Sequence, residues 1–202
     1  MAVVQLPDRA LWVWTPIPLT DRLRRDLDRM GEVRALVAPN HLHDRWMSDW
    51  LAVYPEAEVH LGPGMMEKRP DLPQARELSN RAPTLWAGHI DQVVVPGNAF
   101  TTEVLFHHKL SKTLLVADLL QNMPAGWFGG WRETVARIDG IVGKEPLVPL
   151  KFRLSFIGRK RARRAMMQVL DWRPDQLLLA HGPLVKTGAR GLLHRSFRWL
   201  LR

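Results

Sequence analysis

Three strand-length apolar runs in this chain each stop on a residue able to bind a metal ion, and that pattern limits the folds open to it. Val33 to Val37 is halted by Pro39-Asn40 and leads into His41 and His43. Thr113 to Ala117 runs into Asp118, and Gln176 to Ala180 into His181-Gly182-Pro183. β-Branched and apolar residues bounded by Pro, Asn or Gly read as buried strands. Polar groups just past the C-terminal ends of strands are where open α/β sheets gather their sites. If the three strands share a direction, their tips lie on one rim, where His41, His43, Asp118 and His181 offer three imidazoles and a carboxylate. Such a set suits one divalent ion, zinc or else iron or manganese. Each fragment alone reads equally well as a solvated loop histidine or a helix cap, so the weight lies in the repeated context.

The rest of the chain supplies the layers. Leu11 to Trp14 reads as a first strand, and Thr20 caps a helix through Met30 that Gly31 ends. A helix is expected from Asp44 to about Val53 and a strand from Ala57 to Leu61. Gly62 to Pro83 is too long for an ordinary connection and has the composition of a lid or binding loop, or of a plain linker. Ile90 to Val95, Thr101 to His107 and Thr113 to Ala117 make the centre strand-rich. Trp127 to Ile141, Gly158 to Leu170 and Gly191 to Leu200 read as helices. In the second of these Ala162, Ala165, Met166, Val169 and Leu170 fall on one face, with arginines opposite. Strands and helices alternating around a hairpin-rich centre give an α/β chain with mixed sheets flanked by helices.

Composition narrows the chemistry. Without a cysteine in 202 residues there is no disulfide, no thiolate zinc site and no cysteine nucleophile. No window approaches a membrane span, and the N-terminus lacks the basic and apolar regions of a signal peptide, so a cytoplasmic protein is expected. The formal charge of +9 favours anionic partners, a small anionic substrate or nucleic acid. Arg159-Lys160-Arg161-Ala162-Arg163-Arg164 is the densest basic stretch, but it lacks the interleaved aromatics that single strands favour. Nine tryptophans against one tyrosine point to core or cleft lining. Glu103 and His107 alternate onto one face of their strand and are expected to serve it structurally; His108 belongs to the surface, and His60 and His89 carry no supporting pattern.

The succession of His-x-His after a strand, an extended strand pair, a strand ending in Asp and a strand ending in His-Gly resembles the metallo-β-lactamase superfamily. It is most similar to a branch of it with no assigned reaction and an incomplete metal motif. Leu11-Trp12-Val13 with Pro16-Ile17-Pro18-Leu19, Ala38-Pro39-Asn40, Tyr54-Pro55 and Lys68-Arg69-Pro70-Asp71-Leu72 carry the likeness. So do Thr102 to His107, Ser111-Lys112-Thr113-Leu114, Asp118-Leu119-Leu120 and Ala180-His181-Gly182-Pro183. The resemblance covers nearly the whole chain and implies an α/β fold, a four-layer αββα sandwich, as a single domain over residues 1–202. It matches the family's paired histidines to His41 and His43, its bridging aspartate to Asp118 and its late histidine to His181.

The departures matter as much. The family continues His-x-His with an Asp-His pair for a second metal, where this chain has Arg45 and Trp46, and Asp44 comes one residue early. The mid-chain metal histidine would fall near Pro96-Gly97-Asn98, and Asn98 is a poor zinc ligand. A mononuclear or degenerate site is therefore expected. Three readings follow. One is a hydrolase using a metal-activated water on an ester, lactone, amide or phosphodiester, with Asp118 and Arg45 as catalytic residues and Arg45 on the substrate's anionic part. Another is a non-catalytic binding or scaffold module of the same fold. The third is a nucleic-acid binder acting through the basic helix. Oligomeric state is not legible.

Overall fold

The apolar runs pair into two sheets in the computed structural model, which describes residues 1–202. Each sheet belongs to its own unit, Met1–His89 or Ile90–Arg202.

The first unit holds β1 (Ala2–Gln5), β2 (Ala10–Trp14), β3 (Glu32–Ala38), β4 (Glu58–Leu61) and the short β5 (Arg76–Glu77), side by side in that order. β1 runs antiparallel to β2, and the other pairings are parallel. The helix α1 (Asp21–Met30) carries the chain from β2 to β3. It starts as expected, with the Thr20 hydroxyl accepting the Leu23 N–H at 3.2 Å, and it turns Leu27 into the core. Gly31 ends it where a Cβ would stand 1.9 Å from the Arg9 carbonyl oxygen. A second helix, α2 (Met47–Val53), buries Met47 and Trp50 with Leu11, Val13, Leu36 and Leu61. Trp12, Trp14, Trp50 and Trp86 are fully buried, so four of the tryptophans are core.

The second unit holds β6 (Ile90–Val95), β7 (Glu103–His108), β8 (Thr113–Val116) and β9 (Gln176–Leu179) in that order. The first two pairings are antiparallel and β8–β9 is parallel. Between β8 and β9 come α3 (Gly130–Ile138), α4 (Leu150–Leu154) and α5 (Arg159–Asp171); α6 (Ala189–Ser196) and α7 (Arg198–Leu201) follow. On α5 the residues Ala162, Ala165, Met166, Val169 and Leu170 are buried, the face its periodicity marked out. Met123, Phe128, Ala136, Ile141 and Val142 form a small core of their own.

Several elements depart from expectation for local reasons. β1 leaves no signal in the sequence, because Ala2–Gln5 is too short to show a period. The helix after His43 starts only at Met47, since residues 40–46 are spent on turns. Gly62 to Pro83 is not an open lid. Arg76 and Glu77 pair with β4, while Leu72, Ala75 and Leu78 are buried. The terminal helix breaks at Phe197, whose side chain is wholly buried. No helix is long and apolar enough to cross a membrane.

Candidate metal centre

Parallel pairing sets the heart of the site. Val116 of β8 lies opposite Leu179 of β9, and Asp118 and His181 each follow these partners by two residues. Equal offsets past a parallel pair bring the two side chains together, with His181 Nε2 3.2 Å from Asp118 Oδ1. The aspartate side chain is 6% exposed and the histidine 39%, so the pair has one dry member and one facing solvent. Asn122 N–H donates to the His181 carbonyl at 2.8 Å, tying the two strand ends together past the sheet. A Cβ on Gly182 would come within 2.9 Å of the Asn122 carbonyl oxygen, so this approach needs glycine after His181.

Beneath Asp118 lies Glu103, completely buried on β7. Its carboxylate accepts the N–H groups of Ala117 at 2.7 Å, Asp118 at 2.8 Å and Leu119 at 3.0 Å. Burial, with the neighbouring Asp118 charge, pushes the Glu103 carboxyl well above its usual range, and the three N–H bonds work against that rise. The strand end is thus held by a side chain where the ladder has run out. Gln121 adds to the hold, donating from Nε2 to the Asp118 carbonyl at 3.1 Å. The sequence marked Glu103 as structural without showing what it clamps; the roles of Gln121 and Asn122 left no signal in it.

In the first unit the chain leaves β3 into a turn. The Asn40 side chain accepts the Leu42 N–H at 2.9 Å and its carbonyl accepts the His43 N–H at 3.2 Å, so Asn40 shapes the loop bearing His41 and His43. Both histidines are half-buried. Arg69 holds the far side of this loop. It donates to the Asp44 carbonyl at 2.7 Å and to Ser48 Oγ at 2.7 Å, and it pairs with the Asp44 carboxylate at 3.1 Å. It also grips Asp71 through two bonds, of 2.9 and 2.7 Å, which hold the Asp71 carboxyl far below its usual range. Asp44 is therefore committed to Arg69. Arg45 is exposed and lies with its guanidinium 4.9 Å from the centre of the Trp46 ring.

Asn98, near where the family's mid-chain metal histidine would fall, is buried and fully used. Its amide donates to the Phe152 carbonyl at 2.9 Å, and its oxygen accepts from Phe100 N–H at 2.9 Å and Ser155 Oγ at 3.1 Å. His107 is buried too and stacks on Trp172, its ring nearly parallel at 5.6 Å. His60 is buried against Glu58 and Trp86, and His108 bonds Ser111, so neither lies in the Asp118–His181 pair.

No described sequence family and no curated protein matches the chain by sequence. Solved structures match it in fold. The chemotaxis sensor ODP, as a peroxy diiron species, superimposes with a TM-score of 0.61 at 13% identity, over 95% of this chain and 81% of the sensor. The DIM-1 metallo-β-lactamase gives 0.58 at 13%, over 98% and 84%. The metal-soaked Flv1 flavodiiron core from Synechocystis sp. PCC6803 gives 0.61 at 14%, over 98% of this chain and 51% of that one. At these identities the likeness is one of fold.

Proposed function

Because the chain has the metallo-β-lactamase fold, we propose that it is a metal-dependent hydrolase with one divalent ion held by His43, Asp118 and His181. His41, on the same turn as His43, is the candidate fourth donor. The carrying observation is the contact of 3.2 Å between Asp118 and His181. Two ligands about 2.0–2.1 Å from a tetrahedral zinc stand roughly 3.3 Å apart, so the pair suits a shared ion. A divalent ion there would supply Lewis acidity and lower the pKa of a bound water. Asp118 offsets its charge, Glu103 and Gln121 hold Asp118 in place, and Arg45 receives the anionic part of an ester, lactone, amide or phosphodiester. Zinc, iron and manganese all suit the donors; of the neighbours, one is a metallo-β-lactamase and two carry diiron in their names.

A second ion is disfavoured, since Asp44 is taken by Arg69 and Asn98 by the loop it clamps. Those same residues favour a second reading, a binding module of this fold in which the metal site has eroded. Elemental analysis of the purified, untagged protein separates the two. The hydrolase reading expects about one ion per chain, lost in Asp118→Ala and His181→Ala and weakened in His41→Ala and His43→Ala. Metal content that Asp118→Ala leaves unchanged sinks it, and absence of metal after reconstitution supports the binding module.

A further inference from the structure

Beside the C-terminal helices the second unit has a cavity of about 320 Å³ lined by Leu147, Arg153, Arg195, Ser196, Arg198 and Trp199, with Arg202 at its edge. Four arginines, Arg153, Arg195, Arg198 and Arg202, thus line one small concavity. Arg195 is matched by Glu145, in two bonds of 3.0 and 2.8 Å. Arg153 and Arg198 form no ion pair with a carboxylate. Arg153 and Arg159 both lie over the Trp199 ring, each 5.7 Å from its centre, and the Trp199 indole N–H meets no acceptor. Ser196 is already spent on the Pro146 carbonyl at 2.7 Å.

Converging like charges repel, and a folded chain tolerates them most readily where a counter-charge joins them in use. Guanidinium forks match phosphate oxygens in pairs, and the cavity has the size of a small-ligand site. We propose that this pocket binds a ligand bearing clustered phosphate groups, independently of any metal at Asp118 and His181. Trp199, with two guanidiniums over its ring, gives the pocket a wall, and Arg153 and Arg198 provide the unneutralised charge. Two sources share this chemistry, a free oligophosphate and the headgroup of a phosphorylated lipid. Leu154 and Ile157, which flank this region in sequence and are 74% and 86% exposed, make the second worth testing.

Calorimetric titration of the full chain with sodium tripolyphosphate tests the pocket, with vesicles of phosphatidylcholine, plain or carrying phosphatidylinositol bisphosphate, as a parallel arm. Arg153→Glu and Arg198→Glu are compared with Arg190→Glu, an equal charge change on α6 outside the pocket, and circular dichroism checks that all three fold. Saturable one-to-one binding that falls about tenfold or more in the pocket variants and little in the control supports the proposal. Binding to the lipid-bearing vesicles alone, with the same variant pattern, supports it and assigns the headgroup as source. Equal weakening in Arg190→Glu, or no saturable binding in either arm, overturns it.

Discussion

Glu103 shows how one buried side chain can do the work of a missing strand. Three N–H groups at the end of β8 have no ladder partner there, and its two oxygens take all three. In Glu103→Gln one oxygen becomes an NH₂ that faces a donor, so a loss of about 2 kcal/mol is expected in chemical denaturation. Metal affinity should fall with it, because Asp118 sits on the released segment. His107 makes a different statement. Both its ring nitrogens lack hydrogen-bond partners, and burial, helped by His108 and Lys109 against Asp91, holds its pKa below the usual value. The folded state therefore takes up the proton later than the unfolded chain does as pH falls. Its contribution to stability is complete above the unfolded value of about 6.5 and is lost as pH drops below that toward the folded value. His107→Phe, which keeps a ring against Trp172, should show a shallower fall in stability below that pH than the parent protein. An identical pH profile would refute the assignment. His60 is depressed by burial as well and titrates in the same sense in both proteins, so the comparison isolates His107.

Elements are positioned by a few close approaches. Gly97, at a φ of +94°, carries the loop after β6 against the start of α5, where a Cβ would stand 2.9 Å from the Gly158 Cα. Gly97→Ala should cost about 2 kcal/mol or more, from the left-handed backbone and the clash together, read as a lower denaturation midpoint. Arg69 does the equivalent work in the first unit, joining the loop after β3 to Ser48 and Asp71. Lysine has one charged point where arginine has a fork. Arg69→Lys should therefore lose about 1–2 kcal/mol and loosen the turn carrying His41 and His43, measurable as faster amide exchange over residues 40–46. Periodicity made α1 and α5 legible because their buried faces recur every three to four residues. It could not show α4 or β1, each too short to complete a pattern, nor the unrolling of residues 40–46 into turns.

For the whole molecule, fold and ligand candidates were readable because strand ends and their polar residues are local in sequence. The pairing of Asp118 with His181 follows from the parallel register of β8 and β9, which joins segments far apart in the chain and leaves no local trace. The sequence sets Asn98 and Asp44 apart as departures from the family's metal motif but does not show what they bind, because their partners Phe152 and Arg69 are remote in sequence. Zinc bound by Asp118 and His181 should slow amide exchange in residues 116–122 and 179–182, and unchanged exchange there would remove the pair from the proposed metal site. The equal offset of Asp118 and His181 past their strands has a bearing on inheritance. Their spacing is owed to β8 and β9, while the small core of Met123, Phe128, Ala136, Ile141 and Val142 lies in the connection between those strands. That module can be lengthened, shortened or exchanged over generations without changing the register that sets the Asp118–His181 spacing.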